Sequence, residues 1–389
     1  MKIAIGVRKF CQVGGQEQFC LCLADYLAAR GHKVSVYTFR GEDKQGITVN
    51  RIPKPLFRPR YCRDWATGRA LSRALLQSGA DVTFGEQKTW GAHVIRPGGG
   101  VEQEYWAYKI RRKWKLAGKW IQPFYLKRWY DLAAERQSLL SMHTRAIIAN
   151  SRNVREALLK HYPEIQNKIH LIPNGSARPN LSPDEAKQMR THIRSEYQIP
   201  DSALLAMFAG HDFHRKGLTE AILTLAQVHK QSTDHPWHLL VCGRGSPRSY
   251  RRLAKHLGIS TYLHFVGCQH PCEELYASAD LLLLPTHYDP FANVTVEALA
   301  AGLPVITTKQ NGGSDIIEHN KNGWVVPNHT NIREMAGYML DITTPAVLQK
   351  RKADAVASAK HHRMQDRLAQ VEALLTQVAQ KHRQTPSSQ

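Results

Sequence analysis

Short apolar runs alternate with segments of helical periodicity from the start of the chain. The first run, Ile3 to Val7, has the length of a buried strand, and the pair Gly14-Gly15 follows it as a turn. Residues 18–30 then carry apolar side chains at helical spacing, and residues 34–39 form the next apolar run. A strand, a turn, a helix and a second strand make a βαβ unit, which predicts a parallel sheet.

Further runs of strand length continue this alternation along the chain. They lie at residues 82–84, 146–149 and 169–172 before a Pro-Asn-Gly turn at 173–175, and at 204–209, 239–242, 264–266, 281–284 and 305–307 after it. Helical segments at 219–231, 249–257, 271–279 and 293–301 separate the second set. The pattern predicts two doubly wound α/β domains in succession.

The restart of the pattern after the turn sets the expected domain boundaries. We expect an N-terminal domain over residues 1–175, a C-terminal domain over 176–355, and a final helix and tail over 356–389. One face of the final helix carries an apolar stripe, formed by Leu368, Val371, Leu374, Leu375 and Val378. The stripe predicts that this helix docks against a domain.

The composition supports two globular domains and an anionic partner. The chain has 389 residues, of which 42% are hydrophobic, and this is enough for two cores. Its formal net charge of +21 indicates a nucleic acid, an acidic membrane surface or a phosphorylated substrate. Because the apolar runs have strand length, we expect neither a membrane-spanning helix nor a secretory signal, and a cytoplasmic location.

The cysteines indicate a reducing compartment. There are seven, an odd number, and their spacing fits no disulfide framework. Cys268 and Cys272 flank His270, but no second ligand pair has the spacing of a zinc finger. We therefore expect no metal site.

The glycine pair Gly14-Gly15 is the first candidate binding element. It follows a strand and opens a helix, where backbone N–H groups can approach an anion. Its spacing differs from the G-x-G-x-x-G fingerprint, so a nicotinamide cofactor is not expected. An ordinary turn between strand and helix is the alternative.

Two adjacent cations, Arg215 and Lys216, follow the first strand of the second domain. Their position is the carboxyl edge of a parallel sheet, where ligands bind in such folds. An arginine fork beside a lysine point charge suits a diphosphate. The alternative is a solvated basic turn.

Residues 286–297 form the strongest candidate, again between a strand and a helix. Asp289 precedes the helix, and Glu297 lies about two turns into it. The backbone N–H groups of residues 292–294 lie at the positive end of the helix. One carboxylate can then bind sugar hydroxyls and the other ribose hydroxyls, with phosphates between them. Otherwise Asp289 is a turn or cap residue and Glu297 is a solvated helix residue.

Taken together, these segments resemble the retaining glycosyltransferases of family 4, which have the GT-B fold. The likeness covers most of residues 1–330 and is nearest to the glucosyltransferases that extend the inner core of bacterial lipopolysaccharide. Its carriers are Gly14-Gly15, Ala29 to His32, Pro173 to Gly175, Arg215 to Gly217, Val266-Gly267, Ala279-Asp280, Asp289 to Glu297 and Ala301 to Val305. The resemblance implies two Rossmann-like domains that face each other across a cleft.

The resemblance also implies a nucleotide-sugar donor, bound mainly by the second domain. Arg215 and Lys216 would hold the diphosphate, and Gly15 would close over it from the first domain. Glu297 would bind the ribose, and Asp289 the transferred sugar. The other donor-binding positions are Gly14, Val266 (whose backbone would contact the base), Phe291, Ala292, Asn293 and Val294.

The chain departs from the family's motif at two positions in the donor site. Asp289 stands where the family has a glutamate, and Ala292 where it has a glycine. By family likeness we expect a uridine diphosphate hexose, with glucose as the sugar. The resemblance also implies that the transfer retains the anomeric configuration. Because the chain has no D-x-D motif, we expect no metal or other cofactor. Arg215 and Lys216 would stabilise the leaving diphosphate.

On the acceptor side, residues 96–102 occupy the place where relatives have an aspartate or a histidine. Three of its seven residues are glycines, and Glu102 is its nearest acid. Glu102 can position the acceptor hydroxyl or stabilise developing positive charge. A solvated loop residue is the alternative.

The segment Glu104 to Leu132 combines tryptophans with basic residues. The tryptophans are Trp106, Trp114, Trp120 and Trp129, and the basic residues are Lys109, Arg111, Arg112, Lys113, Lys115, Lys119, Lys127 and Arg128. An apolar face opposite a basic one is typical of a helix on an anionic membrane, and an acidic lipid-linked saccharide acceptor would use the same features. We expect a peripheral protein on the inner face of the cytoplasmic membrane. A packed helix with snorkelling basic residues is the alternative.

Two other functions fit part of the pattern. A GT-B nucleotide-sugar epimerase would share the donor motifs but would have no need of Glu104 to Leu132. A nucleic-acid-binding protein would explain the charge, but the sequence has no helix-turn-helix, zinc-finger or RNA-binding signature. It would also leave Asp289 and Glu297 without a role, so we expect no nucleic acid partner.

Overall fold

Parallel strands alternate with helices in both of the units into which the chain divides. The structure, a computed structural model, describes residues 1–12, 14–55, 60–113, 126–178, 181–232, 236–268 and 272–384. Unit 1 comprises Met1–Pro173 with Gln365–Gln389, and unit 2 comprises Asn174–Met364.

The first part of unit 1 follows the order strand, helix, strand. Its elements are β1 (Lys2–Gly6), β2 (Lys9–Phe10), α1 (Gly15–Ala29), β3 (Lys33–Thr38), β4 (Arg40–Gly41), β5 (Ile47–Arg51), α2 (Arg63–Leu76), β6 (Val82–Glu86), β7 (Val94–Arg96), α3 (Glu102–Lys113), α4 (Leu126–Leu140), β8 (Ala146–Ala149), α5 (Arg152–His161) and β9 (Ile169–Leu171). The main sheet has the order β5-β3-β1-β6-β7-β8-β9, with every neighbouring pair parallel, and β2 pairs with β4 apart from it.

Unit 2 repeats the same construction. Its elements are α6 (Pro183–Glu196), β10 (Leu204–Ala209), α7 (Leu218–Gln231), β11 (Trp237–Cys242), α8 (Arg248–His256), β12 (Leu263–Gly267), α9 (Glu273–Ser278), β13 (Leu281–Leu284), α10 (Asn293–Ala300), β14 (Val305–Thr308), β15 (Gly323–Val326), α11 (Ile332–Asp341) and α12 (Pro345–Ala359). Its sheet has the order β12-β11-β10-β13-β14-β15, again with parallel neighbours.

Both sheets reverse their winding direction beside their first strand. In unit 2 the chain moves outward from β10 through β11 and β12, and then crosses back to β13 on the other side of β10. In unit 1 the same reversal falls between β1 and β6. In doubly wound sheets, the loops on either side of such a reversal diverge, and ligands bind in the crevice at this carboxyl edge. The predicted pair of doubly wound α/β units is confirmed.

Burial explains why the sequence located most strands. The side chains of β1, β8 and β13 are almost entirely buried, because helices cover both faces of a parallel sheet. Such strands appear in a sequence as continuous apolar runs.

Besides the two-residue strands β2 and β4, three strands of the main sheets were absent from the sequence-based prediction. β5 is an edge strand of mixed polarity, and β7 has only three residues. β15 begins at Gly323, where a Cβ atom would come within 2.2 Å of the Val305 carbonyl oxygen. The close approach of two backbones requires glycine here, and glycine interrupts the apolar run that marks a strand.

The last helix, α13 (Met364–Gln384), packs on unit 1. Its predicted stripe is buried, which confirms the docking. On the same helix Glu372 accepts hydrogen bonds from Tyr26 (3.2 Å) and from the ring of His32 (2.8 Å).

No helix in the described ranges has both the length and the apolar character that crossing a membrane requires. The seven cysteines all lie in those ranges, and no disulfide joins any two of them.

Candidate functional site

In unit 2, the turn between β10 and α7 holds Arg215 and Lys216 against the segment that follows β13. Gly217 closes this turn with a φ of +84°. A Cβ atom there would come within 1.9 Å of the Pro285 carbonyl oxygen. Only glycine permits this contact, which brings the two cations to the carboxyl edge at the reversal point of the sheet.

Asp289 pairs with both cations. Its Oδ2 lies 2.6 Å from Nη1 of Arg215 and 2.9 Å from Nζ of Lys216. Arg215 also donates to the Tyr288 carbonyl oxygen at 3.0 Å. Burial alone would raise the pKa of Asp289, but the charges of Lys216 and Arg215 outweigh it and lower that pKa. The carboxylate is therefore ionised, and the trio keeps one net positive charge.

Burial lowers the pKa of Lys216, because it disfavours the charged ammonium. The negative charge of Asp289 counteracts part of this effect. Asp289 therefore favours the charged form of Lys216 in the ligand-free protein.

Asn311 fixes the loop between Asp289 and α10. Its buried side-chain oxygen accepts from the backbone N–H groups of Ala292 (3.1 Å) and Gly313 (2.9 Å), and its amide donates to Thr307 (3.1 Å). Ala292 is the residue before α10, so Asn311 positions the positive end of that helix. The sequence pattern missed Asn311, because it lies 19 residues beyond its contact.

Glu297 lies about one turn into α10, rather than the two turns expected from the sequence, because the helix begins at Asn293. An aromatic neighbour holds its carboxylate. Its Oε2 accepts a 2.7 Å hydrogen bond from the Tyr276 hydroxyl, and the Arg178 guanidinium lies 4.3 Å from the Tyr276 ring centre. Burial raises the pKa of Glu297, and the bond from Tyr276 and the charge of Arg178 counteract it only in part. Tyr276 and Arg178 were also absent from the sequence-based set.

The remaining donor positions of unit 2 lie on the same edge. Asn293 begins α10, and its side-chain oxygen accepts from Asn174 at 2.7 Å. Phe291 is buried, and its N–H donates to Asp289 at 3.2 Å. At the end of β12 the register passes from Val241 opposite Phe265 to Cys242 opposite Gly267, so Val266 is skipped. A bulge of this kind leaves the backbone of one residue outside the ladder.

In unit 1, the glycine pair opens the helix that follows β1. Gly14 is the residue before α1 and has a φ of +107°, and Gly15 is the first residue of the helix. A Cβ atom on Gly14 would come within 2.3 Å of the Glu17 carboxylate. A carboxylate from the helix itself therefore lies beside its positive end.

Glu102 is buried at the start of α3, where the sequence suggested a loop. Its Oε1 lies 2.8 Å from Nζ of Lys88 and accepts from Gln87 at 3.3 Å. Its backbone N–H donates to Glu135 at 2.6 Å. The alternative of a solvated residue is excluded by this burial.

The end of β6 carries polar residues that the sequence reading passed over. Gln87 and Lys88 have φ values of +28° and +56°, rare for residues other than glycine. Gln87 also accepts from Gln16, in the first turn of α1, at 3.1 Å. Beneath them, Glu86 pairs with buried Arg96 at 2.5 Å. The sequence did contain a signal for this cluster: the polar triplet Glu86-Gln87-Lys88 follows a buried apolar run.

Burial gives Glu86 unusual titration. It raises the pKa of Glu86 to about 7, although the charge of Arg96 acts in the opposite direction. A polar cluster thus surrounds the carboxyl edge of unit 1, and a separate cationic cluster surrounds that of unit 2.

The tryptophan-rich segment divides into two helices where it is described. Trp106 in α3 is buried, so in this fold it forms part of the packed interior of unit 1. Trp129 in α4 is 63% exposed. Lys127 is shared between Asp64 (2.8 Å) and Asp131 (3.0 Å). Residues 114–125, with Trp114, Lys115, Lys119 and Trp120, lie outside the described ranges, as do the side chains of residues 111–113.

Two family models match the chain in succession. Residues 13–176 match the model of Glycosyltransferase Family 4, and residues 189–360 match that of Glycosyl transferases group 1. Among curated relatives, the lipopolysaccharide glucosyltransferase WaaG of Escherichia coli K12 is 26% identical over 329 residues, which cover 84% of this chain and 85% of WaaG.

Solved structures show the same architecture. A crystal structure of WaaG, a glycosyltransferase involved in lipopolysaccharide biosynthesis, matches at a TM-score of 0.77 and 24% identity, covering 96% of this chain and 99% of that one. HepE from Anabaena, in complex with UDP-glucose, matches at a TM-score of 0.70 and 17% identity, covering 97% and 100%. At these identities the likeness shows the fold, which is GT-B.

Proposed function

We propose that this chain, which belongs to the glycosyltransferases of family 4, moves a hexose from a uridine diphosphate sugar to a lipid-linked saccharide acceptor. The observation that carries the proposal is the ion-paired trio of Arg215, Lys216 and Asp289 at the reversal point of the unit 2 sheet. An arginine and a lysine fixed together favour a ligand with adjacent negative charges.

The trio accounts for the binding of a diphosphate and for its departure. The carboxylate cancels one of the two positive charges, so the site keeps one positive charge in the absence of ligand. When the bond between the sugar and the diphosphate breaks, negative charge grows on the leaving oxygen. Cations that are already in place beside it stabilise this charge without reorganising.

For the sugar nucleotide we propose the following contacts. Glu297, oriented by Tyr276, binds the ribose hydroxyls. Val266, skipped by the strand register, offers its backbone to the base. Asp289 contacts the transferred sugar through the carboxylate oxygen that the cations do not share.

We propose UDP-glucose as the donor and a saccharide of the lipopolysaccharide core as the acceptor. The 26% identical relative is a lipopolysaccharide glucosyltransferase, and a protein of the same fold binds UDP-glucose. The transfer would retain the anomeric configuration and use no metal, with the acceptor attacking on the face that the diphosphate leaves. Glu102, held by Lys88 and Gln87, would orient the acceptor hydroxyl.

We further propose that the protein acts at the inner face of the cytoplasmic membrane. The acceptor is anchored in lipid, and Glu104 to Leu132 is rich in basic residues and tryptophan. Exposed Trp129 provides an aromatic ring of the kind that binds at the headgroup boundary.

Transfer of labelled sugar tests this function. Purified protein is incubated with radiolabelled UDP-glucose and an extracted lipopolysaccharide core lacking its outer sugars. We expect label in the lipid fraction, and a strong loss with Lys216→Ala. Label that appears only as a second UDP-sugar would indicate an epimerase. A salt-dependent shift of DNA without any transfer would indicate a nucleic-acid-binding protein.

A further inference from the structure

Three side chains with metal-binding atoms meet at the carboxyl edge of the unit 2 sheet. Glu220 lies in the first turn of α7, His287 follows β13, and His329 follows β15. One ligand atom from each lies within 4.8 Å of the other two. Because the three residues come from distant segments, no sequence motif predicts that they meet.

Their mutual contacts are close. Nε2 of His287 lies 3.0 Å from Oε1 of Glu220. The rings of His287 and His329 stack with their centres 3.7 Å apart, and the ring of His214 lies 5.0 Å from that of His287. The side chains of Glu220 and His287 are only 15% and 13% exposed, so the cluster is sheltered but reachable from solvent.

Two imidazoles and one carboxylate form a ligand set that zinc accepts. In a tetrahedral zinc site the ligand atoms lie about 3.3 Å apart, given bonds of about 2.0 Å. The separation of Glu220 and His287 is already near this value. The ring of His329 must turn out of its stack so that its nitrogen faces the ion. The fourth position remains for water or for His214.

We propose that Glu220, His287 and His329 bind one zinc ion, separate from the donor site. Each ligand belongs to a different loop of the same edge, so the ion would join α7, the segment before α10 and the segment after β15.

The site connects directly to the cationic trio through the backbone. The carbonyl oxygen of Arg215 accepts from the N–H of His287 (2.8 Å) and from the Thr286 hydroxyl (2.8 Å). An ion held by His287 therefore restrains the turn that presents Arg215. We infer a stabilising role for the metal, since the Arg215 side chain points to Asp289 rather than to the cluster.

Zinc titration of the full-length protein tests the site. The protein is stripped with a chelator and titrated with Zn²⁺ by calorimetry, and with Co²⁺ by absorption spectroscopy. We expect one tight equivalent, and cobalt d–d bands without the intense near-ultraviolet band of thiolate ligands, which separates this site from the cysteines. Zn²⁺ should also raise the midpoint temperature of unfolding.

Variants assign the ion to these residues. Mutating the residues that hydrogen-bond to metal ligands typically costs about 10–100-fold in metal affinity. Loss of a ligand itself should cost more, so Glu220→Gln and His329→Gln should each weaken zinc binding at least about 100-fold. The control is His256→Gln, at an exposed histidine of α8, which should bind as the parent does. Circular dichroism checks folding, and His329→Gln, outside helix and strand, serves if Glu220→Gln does not fold. Equal affinity in all variants, a thiolate band at the tight site, or no tight equivalent would overturn the proposal.

Discussion

Nζ of Lys216 lies 2.9 Å from Oδ2 of Asp289, and both side chains are almost completely buried. The resemblance assigned the lysine to the diphosphate and the aspartate to the sugar, but in the ligand-free protein each is the other's counter-ion. In the proposed complex, a bound diphosphate would share Lys216 with Asp289. This sharing would couple the two ends of the donor, because a shift of the carboxylate toward the sugar would free the ammonium for the phosphate.

Asp289→Ala should destabilise the protein more than Lys216→Ala. Without Asp289, buried Lys216 and the partly exposed Arg215 lose their shared counter-ion, and breaking a buried pair from one side costs about 3–5 kcal/mol. Without Lys216, the carboxylate still pairs with Arg215, so we expect a loss of about 1–3 kcal/mol. Urea unfolding followed by circular dichroism measures both. A larger loss for Lys216→Ala would contradict this account of the trio.

Arg215→Ala and Lys216→Ala should each reduce transfer by about 10- to 100-fold. Loss of a charge-assisted contact is worth about 1.5–3 kcal/mol in the transition state. Initial rates at saturating donor measure this effect. Arg252→Ala, at an exposed arginine in the middle of α8, is the matched control and should transfer at the parental rate. Normal rate and donor affinity in the double variant Arg215→Ala/Lys216→Ala would remove the assignment to the diphosphate.

Glu297→Ala should weaken binding of free UDP, whereas Asp289→Ala should act more on turnover. Glu297 faces the ribose in our proposal, and free UDP has no sugar for Asp289 to contact. Tyr276→Phe tests the supporting bond: it removes the donor at 2.7 Å but leaves the carboxylate, so its effect on UDP binding should be smaller than that of Glu297→Ala. Calorimetry with UDP measures all three. Equal losses for Asp289→Ala and Glu297→Ala would show that the roles are not divided.

The elements that carry the site were predictable, but its contacts were not. Buried parallel strands leave apolar runs, so the sequence placed Arg215, Asp289 and Glu297 correctly after strands or in a helix. The ion pair of Arg215 and Asp289 joins residues 74 positions apart and depends on the contact of Gly217 with Pro285. No periodicity encodes such a contact.

Glu102, in unit 1, is a second case in which the sequence could not predict the contacts. A glycine-rich stretch suggested a solvated loop, yet Glu102 is buried, because Lys88 supplies a counter-ion and Glu135 accepts its backbone N–H. Both partners come from other segments of the chain. Burial of a charged residue is decided by its partners, and these are fixed by the fold.

Neutralising the basic residues of Glu104 to Leu132 should release the protein from anionic vesicles. The variant carries Gln at Arg111, Arg112, Lys113, Lys115 and Lys119. Each basic residue near an anionic surface contributes about 1 kcal/mol, so binding should fall steeply, while UDP binding should persist. Cosedimentation with anionic and zwitterionic vesicles measures the difference.

Two further variants test whether vesicle binding depends on this segment or only on the net charge of the protein. Gln at Arg248, Arg252 and Lys255 removes exposed charges of α8 and should leave vesicle binding largely intact. Trp129→Ser should weaken the binding that remains at high salt, since the tryptophan contribution is not screened. Equal binding to both kinds of vesicle would mean that the segment is a packed helix with a solvated basic face.

Glu135→Gln should reduce the loss of stability between pH 5 and pH 7.5. Burial raises the pKa of Glu135 to about 7, against the bonds from the Glu102 N–H and the Tyr162 hydroxyl. A carboxyl whose pKa is higher in the folded state than in the unfolded state holds its proton in the fold. Stability therefore falls as the pH rises from about 4.5 to about 7, by up to about 3 kcal/mol.

A glutamine at this position keeps both neighbours without ionising: its oxygen accepts from the Glu102 N–H, and its amide donates to the Tyr162 oxygen. The variant should match the parent near pH 5 and exceed its stability near pH 7.5, as thermal unfolding across this range would measure. Part of the fall in stability with rising pH should persist in both proteins, because burial raises the pKa of Glu86 to about 7 as well. The control Glu185→Gln should leave the slope unchanged, because bonds from Ser182 lower the pKa of Glu185 and move its titration below this range. An identical slope in Glu135→Gln and the parent would mean that Glu135 is already ionised in the fold at pH 5.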